Sequence, residues 1–441
     1  MADLYQTQRA MRNIRRAALQ RGVIGILDIG TSKIACLIAK LNPAEASDTL
    51  PGRTHRCRIL GIGHQRSRGI KGGAVVDMEE AENAIRLAVD AAERMAGVEV
   101  GSVIVNITGG RLSSQHYNAK VAVGGKAVSD YDVHRVLEAS CATMARQGRA
   151  VLHSLPTGFS LDRTRQIRDP KGMIGDELGA DMHVVGCDAA AARNLMLVIE
   201  RCHLQVDALV ATPYSAGLSV LADDEAELDV ALIDMGGGTT SVGVFAGGHL
   251  AHVDAVAVGG NHVTTDIARG LTTRLSDAER LKTLHGTCIA SASDERETIA
   301  VPQVGDEHDQ PAHLPKSHLV RIIRPRVEEI LELIRDRLNA AGFPAHAGRR
   351  IVLTGGACQL TGMPEAARRI LSPQVRIGRP LGIQGLPESA KSPAFAAGVG
   401  LLIYPQVASI EHFEPRRDVP VQATGTDGYM TRVSRWLKDS F

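Results

Sequence analysis

The stretch that most constrains this chain is VALIDMGGGTTSVGVF, residues 230–245: an apolar run ending in Asp234, three glycines, then a second run of strand formers. A dinucleotide or Walker-type loop passes from a strand into a helix. Here Thr239, Thr240, Val242, Val244 and Phe245 follow in near alternation, so the segment is predicted to be strand, glycine turn and returning strand. Gly236, Gly237 and Gly238 can take positive φ and lack a Cβ, which lets several backbone N–H groups converge on an anion. Thr239 and Thr240 add hydroxyl donors. Asp234 cannot sit against phosphate without an intervening cation, so its natural role is to hold Mg2+ through water. Taken alone, DxGGGT is equally compatible with an ordinary tight turn.

A second segment repeats this logic about 200 residues earlier, in VIGILDIGTSKIACLIAKL: an apolar strand, Asp28, the turn Gly30-Thr31-Ser32-Lys33, and another alternating strand. Two Asp-headed phosphate hairpins imply two similar half-domains facing one another across a nucleotide, with both aspartates near a single Mg2+. Lys33 would add a point charge for phosphate oxygens.

With 441 residues, 44% hydrophobic and 22% charged, the chain has the composition of a soluble globular protein of several domains with a real core. The formal net charge of +1 supplies no global field to recruit nucleic acid or membrane, so any membrane contact must be local. Seven cysteines, scattered and never in a CxxC pair, argue for reduced thiols in a cytosolic compartment. No segment reaches the roughly 18 apolar residues of a transmembrane helix. The arginine-rich residues 1–21 look like a frayed basic leader helix, with an organellar transit peptide as the alternative.

Between and after the hairpins the pattern is mixed. A short strand is expected over residues 55–63, and a glycine-rich loop, SRGIKGGAVVD, over 67–77. An amphipathic helix is predicted over 79–95, with Ala84, Leu87, Ala88, Ala91 and Met95 on its inner side. Residues 111–185 resemble neither half. Short strands around Val121 and Leu152, a helix from Asp132 to Arg146 and an irregular charged loop over 162–180 read as an inserted subdomain presenting a sheet surface to a partner. His134, His153 and His183 there lack metal-ligand spacing.

Further on, Ser276-Asp277-Ala278-Glu279 reads as a helix cap, with Glu279 and Lys282 on one face, by themselves a plain surface ion pair. Residues 294–314 read as loop with a little strand. A long helix over 316–341 is predicted to turn Ile322, Ile330, Leu333, Ile334 and Leu338 inward despite Pro325. In IVLTGGACQLTG, Gly355 and Gly356 let backbone approach a flat ring closely, which suits a purine and ribose. SPAFAAGVGLLIY reads as a small-residue helix able to pack tightly.

The last segment changes character. Residues 411–428, EHFEPRRDVPVQATGTDG, have the composition of a flexible linker, followed by YMTRVSRWLKDSF. On a helical wheel Met430, Val433, Leu437 and Phe441 share one face, Tyr429 and Trp436 edge it, and Arg432, Arg435 and Lys438 oppose it. Such a helix is marginal alone in water and suits an anionic membrane surface. Docking in a protein groove, or folding back on its own domain, are the alternatives.

ILDIGTSK, LIDMGGGTT and VLTGGACQLTG resemble the phosphate 1, phosphate 2 and adenosine motifs of the actin, Hsp70 and sugar-kinase superfamily. Within it the chain most resembles the FtsA family of actin-like division proteins, through SRGIKGGAVVD, the placement of the insertion, VGGNHVTTDIA, SDAERLKTLHG, QVRIGRPLGIQGL and the amphipathic tail. The likeness runs from about Gly22 to Phe441; the leader is longer than such proteins usually carry. It implies an α/β, actin-like (ribonuclease H-like) ATPase fold with two half-domains around a nucleotide cleft and an inserted 1C subdomain. The implied division is 22–103 and 186–218 as 1A, 104–185 as 1C, 219–260 and 346–390 as 2A, 261–345 as 2B, 391–411 returning to 1A, 412–428 as linker and 429–441 as membrane helix.

The same resemblance implies ATP and Mg2+ as cofactors. Asp28 and Asp234 would be the metal-facing aspartates, Gly30 to Lys33 and Gly236 to Thr240 the phosphate turns, Gly355 and Gly356 the adenosine turn, and Glu279 and Lys282 the groups reaching ribose and base. It further implies self-association into filaments through 1C and the main body, the FtsZ tail on 2B, other divisome proteins on 1C, anionic lipids at the inner face of the cytoplasmic membrane at the division site, and no nucleic acid. Thr212, in ATPYSAGLSVL, stands where many superfamily hydrolases place a water-orienting Glu or Gln, so at most slow hydrolysis is expected. A small-molecule kinase of the same superfamily and an actin-like pilus assembly adaptor are the competing readings.

Overall fold

The structure is a computed structural model that describes residues 19–20, 22–45, 50, 53–108, 111–142, 149–304, 311–344, 349–407 and 411. Apart from residues 19, 20 and 411, the basic leader 1–21, the end of the helix expected to reach Arg146, the linker and the amphipathic helix 429–441 lie outside the described residues.

Two five-stranded sheets share one topology. In the first, Val23–Ile29, Lys33–Pro43 and His55–Arg66 form an antiparallel meander, and Ser102–Ile107 and then Gln205–Ala211 join in parallel on the other side of Val23–Ile29. In the second, Val230–Met235, Thr240–Ala246 and His249–Val256 form the meander, with Arg350–Thr354 and Val375–Ile377 added in parallel. The Asp-headed hairpins are the central pair of each sheet, both strands of each almost fully buried, which is why they read as continuous apolar runs. The third strand, expected as a short piece over 55–63, is 12 residues long.

The helix Met78–Ala96 lies against the first sheet, and its buried stripe is Ala81, Ala84, Ile85, Ala88, Val89 and Ala92. This corrects the expected face: Leu87 and Met95 are 54% and 63% exposed. Close approach decides it. A Cβ on Gly63 would lie 1.9 Å from the Ala88 carbonyl oxygen, and one on Gly61 2.1 Å from that of Ala92, so only small residues fit along this seam. The helix Ala396–Val407 packs equally tightly on Thr212–Val220, where a Cβ on Gly400 would meet the Ser215 carbonyl oxygen at 1.6 Å.

Residues 111–188 form a separate antiparallel sheet in the order Ser113–Ala127, Ile174–Asp188, Arg149–Leu161, Thr164–Ile167, covered by the helix Asp130–Ala142. Its small core gathers Val128, Val136, Leu137, Leu161, Leu178, Ala180 and Met182. The expected short strands and charged loop are corrected here. Three strands run 13 to 15 residues, and the supposed loop contains a reversal after which Asp162 Oδ1 accepts the N–H groups of Asp176 and Glu177 at 3.0 and 2.8 Å. Strands exposed on one face carry charges at every second position, and that alternation masks them as loop.

Gly260–Gly270, Leu275–His285 and Lys316–Ala340 are the helices between the meander and the parallel strands of the second half, with a ribbon of Thr298–Val301 and Ala312–Pro315 beside them. Ser276 is inside its helix and does not cap it; the N-cap is Arg274, with no side-chain cap bond, since the helix starts one residue before the apparent capping sequence. In the long helix Ile330, Ile334 and Leu338 are buried as expected, but Ile322 and Leu333 are only partly so, and Leu319, Val320, Ile323, Val327 and Leu331 complete the inner face.

Candidate functional site

The two hairpins close their turns identically. Gly30 N–H donates to the Lys33 carbonyl at 3.0 Å and Gly236 N–H to the Thr239 carbonyl at 2.9 Å, each glycine two residues after its aspartate. The turns then interlock. A Cβ on Gly237 would lie 2.1 Å from Ser32 Oγ, and one on Gly238 2.6 Å from Thr31 Oγ1. None of Gly236, Gly237 and Gly238 has positive φ, so the sequence expectation is corrected: at Gly237 and Gly238 closeness between the hairpins, and not left-handed backbone, requires glycine.

Where the turns meet is a cavity of about 450 Å3 lined by both halves of the molecule. Asp28, Gly30, Thr31, Ser32, Lys33, Asp234, Gly236, Gly237, Thr239, Glu279, Lys282, Gly355 and Gly356 all line it. Gly238 and Thr240 do not. Gly238 is spent on the hairpin contact, and the Thr240 hydroxyl donates to the Val258 carbonyl at 2.8 Å from a fully buried strand position.

Asp28 and Asp234 are both buried. Burial raises the pKa of Asp28, against the opposing pull of Lys33 and the Asn106 amide. Burial, then repulsion from Asp28, raises that of Asp234 to about 7, with Lys33 opposing. Lys33 is itself pushed down by burial and is held by the Ala394 carbonyl, 2.6 Å from Nζ, and by the Phe395 ring, 3.2 Å to its centroid. Two carboxylates thus share one ammonium, a local shortage of positive charge. The carboxylate and hydroxyl oxygens here suit a hard divalent cation such as Mg2+, which keeps most of its water. Among the described residues no group of three or more His, Cys, Asp or Glu side chains gathers to hold a metal by itself.

Elsewhere on the wall, Lys282 Nζ donates to Glu279 Oε2 at 2.7 Å, Thr264 Oγ1 at 2.8 Å and the Gly260 carbonyl at 3.2 Å. The Glu279–Lys282 pair is therefore part of a cavity wall, and Lys282 is only 14% exposed. Gly355 sits at φ +85°, where an added Cβ would meet the Met235 carbonyl oxygen at 2.5 Å and Asp234 Oδ1 at 2.6 Å.

Sequence reasoning missed Asn106. Its Oδ1 accepts Ile29 N–H at 2.7 Å and its Nδ2 donates to Asp28 Oδ1 at 2.7 Å, fixing one carboxylate oxygen. An asparagine closing the apolar run SVIVN was the available signal. Thr212 lines the cavity, its Oγ1 2.7 Å from Thr108 Oγ1 and 3.3 Å from Asn106 Nδ2. Asn261 was also missed; its Oδ1 accepts Ser32 Oγ–H at 3.0 Å, tying the second half's first helix to the first hairpin. Three of the insertion's four histidines were singled out from the sequence, and all three stand apart from the cavity: His134 faces Glu138 at 3.1 Å, and His153 and His183 are buried.

Comparison with known proteins agrees with this architecture. The family model described as "Cell division protein FtsA" matches residues 231–400, and that of the "SHS2 domain inserted in FTSA" matches residues 109–186. Cell division protein FtsA of Rhizobium meliloti (strain 1021) is 54% identical over 420 residues, covering 95% of each chain. FtsA of Escherichia coli (strain K12) is 34% identical over 432 residues, covering 96% of this chain and 99% of the other. Among solved structures, a chain of the PilM–PilN type IV pilus biogenesis complex superposes with a TM-score of 0.56 at 14% identity, over 87% of this chain and 98% of the other. MreB5 of Spiroplasma citri bound to AMPPNP gives 0.51 at 12% identity, over 88% and 97%. At those identities the likeness speaks for an actin-like fold alone. The duplicated sheets, the insertion matched by its own family model and relatives alike over almost the whole length lead to one assignment: this chain belongs to the FtsA family of cell division proteins.

Proposed function

We propose that this chain binds ATP with Mg2+ in the cavity between its halves, assembles into actin-like filaments on the inner face of the cytoplasmic membrane, and tethers the FtsZ ring there during division. The observation that carries the nucleotide part is the convergence of both Asp-headed hairpins and Gly355 on one cavity around two buried carboxylates. Asp28 and Asp234 would hold the cation through water, the turns at Gly30–Ser32 and Gly236–Thr239 with Lys33 would take the phosphates, and Glu279, Lys282, Gly355 and Gly356 the ribose and base. The bound cation supplies charge neutralisation for the phosphate oxygens. Asn106 keeps Asp28 oriented, and the burial of both carboxylates keeps competing water few.

The wall offers Thr212, Thr108 and Asn106 near Asp28, and ATPYSAGLSVL has no carboxylate, so slow turnover in the service of assembly fits better than kinase chemistry. The division assigned by subdomain is proposed with it: 1A and 2A as the two sheets, 2B as the helical part carrying the FtsZ tail, 1C as the inserted sheet used for self-association and other divisome proteins. The tail 429–441 is proposed as the membrane helix, with Tyr429, Met430, Val433, Trp436, Leu437 and Phe441 facing lipid and Arg432, Arg435 and Lys438 the anionic headgroups. One short helix binds weakly, so a filament presenting many supplies firm attachment through avidity.

The decisive experiment is binding of an FtsZ C-terminal tail peptide against a pilus-protein peptide, with Asp234→Ala as the nucleotide control. Preference for the FtsZ peptide, and loss of both ATP binding and assembly in Asp234→Ala, are expected. Preference for the pilus peptide overturns the tethering role, and normal ATP affinity in the variant overturns the metal role of Asp234.

A further inference from the structure

We propose that Glu411 is a latch coupling the nucleotide cavity to the C-terminal segment, gripped by His153 of the inserted sheet and Tyr404 of the helix Ala396–Val407. The inference rests on the nucleotide reading above. Glu411 is buried, and its Oε1 accepts two hydrogen bonds, from His153 Nδ1–H at 3.0 Å and from Tyr404 O–H at 2.9 Å. The tautomer follows from the other side of the ring: His153 Nε2 accepts the Ala211 N–H at 2.9 Å and so carries no proton. The surroundings are dry. His153 and Tyr404 are fully buried, and Tyr214 packs edge-on to both at 4.8 and 6.1 Å between centroids. A buried carboxylate in such a place is kept only by its donors, and any motion that withdraws one of them weakens the hold.

Both donors lead back to the cavity. Ala211 is the N-cap of the helix Thr212–Val220, and the next residue, Thr212, lines the cavity and bonds to Thr108 and to Asn106, which in turn donates to Asp28. On the second route, Ala394 accepts from Lys33, Ala397 lines the cavity, and the helix from Ala396 to Val407, about 18 Å of rigid rod, carries Tyr404 to the carboxylate. A Cβ on Gly398 would stand only 3.3 Å from Asp28 Cβ, so this helix passes close beside that aspartate. A ligand that draws in Asp28 and Lys33 therefore acts on both routes at once. Such a ligand moves the latch by its difference in affinity for the two states, and the latch must alter ligand affinity by the same factor. Eighteen residues later, at Tyr429, begins the segment proposed for the membrane, so a gripped or released Glu411 changes where that tether leaves the body.

The test is amide exchange across residues 404–412 of the full chain with and without Mg·ATP, together with Mg·ATP affinity, in wild type, Glu411→Leu and Tyr404→Phe. Neither residue lines the cavity. In wild type, binding is expected to change exchange in this segment by about fivefold or more. Glu411→Leu removes the acceptor and abolishes that change; Tyr404→Phe removes one donor and diminishes it; Mg·ATP affinity shifts in each by the factor lost. Tyr404→Phe, the loss of one oxygen, keeps the test open if Glu411→Leu folds poorly. A wild-type chain that binds Mg·ATP with no change in exchange overturns the latch, as does a change of full size in both variants. A wild-type chain that binds no Mg·ATP overturns the nucleotide reading instead.

Discussion

Asp234→Asn is expected to make the nucleotide-free protein more stable while destroying its capacity to hold Mg·ATP. The carboxylate has an ordinary pKa of 3.8, raised in the fold to about 7 by burial and by Asp28. The sign follows from linkage. Below pH 3.8 both folded and unfolded chains carry the proton, and nothing is lost. As pH rises towards 7 the unfolded chain releases it first, so stability falls across that window and the full cost stands above it. At about 1.4 kcal/mol per pH unit the ceiling is ~4 kcal/mol. Asparagine keeps the shape without the charge, and relief of about 2–4 kcal/mol is expected at pH 8. Denaturant unfolding at pH 5 and pH 8, without nucleotide, measures it: the variant's advantage should be larger at pH 8. Isothermal titration with Mg·ATP should show binding reduced by 100-fold or more, about 2.7 kcal/mol. A variant that is less stable than wild type at pH 8, or that binds Mg·ATP normally, would refute the claim that this carboxylate is held under strain for a cation.

The remaining expectations use the same geometry. Asn106→Ala strips Asp28 of its donor and leaves Ile29 N–H without an acceptor in a buried strand, so a loss of about 1–3 kcal/mol by urea melt and weakened Mg·ATP binding are expected. Gly355→Ala places a Cβ 2.5 Å from the Met235 carbonyl at φ +85°, and should lower stability by about 2–4 kcal/mol; unchanged melting would disprove the packing argument. His183, buried with Nδ1 donating to the Leu250 carbonyl at 2.7 Å, has its pKa lowered from 6.5 to about 3 by burial and by neighbouring His116. Its stabilisation is complete above pH 6.5 and fades as pH falls towards 3, a loss of ~2 kcal/mol by pH 5 that His183→Asn should remove. Deleting 429–441 should abolish co-sedimentation with anionic liposomes and leave Mg·ATP binding intact; undiminished lipid binding would sink the membrane assignment of the tail.

The hairpins were legible because each is a local object: an apolar run, an acid, a turn and a run back, within 19 residues in the first and 16 in the second. Their meeting was legible only by analogy of one to the other, since Gly237 against Ser32 is a contact across about 200 residues that no periodicity encodes. Asn106 was invisible for a related reason. Its partners, Ile29 and Asp28, are 77 and 78 residues away, and a lone asparagine at a strand end has many uses. The helix Met78–Ala96 was misjudged in orientation because the large side chains were assigned to the core, whereas Gly61 and Gly63 bring the sheet so near that only its alanine-rich stripe fits. The insertion hid its strands because a sheet with one wet face has charges where a buried strand has valines.

The two halves repeat one sheet but are interrupted at different places. In the second half the interruption follows the meander, and its helices hang over the cavity, supplying Asn261, Glu279, Lys282, Val327 and Ile330 to the wall. In the first half it comes after the fourth strand, Ser102–Ile107, and none of the described residues of 111–188 lines the cavity. That sheet leans instead on the edge strand His249–Val256, through His183 on Leu250 and Ser114 Oγ on the Val253 N–H at 2.6 Å. A 15-residue outer strand, Ser113–Ala127, is paired within the sheet on one side only, by Ile174–Asp188. The arm has its own core, and its described residues take no part in the cavity wall. His153 of the inserted sheet joins that arm to the edge of the cavity, its Nε2 accepting the Ala211 N–H at 2.9 Å and its Nδ1 facing Glu411 Oε1 at 3.0 Å.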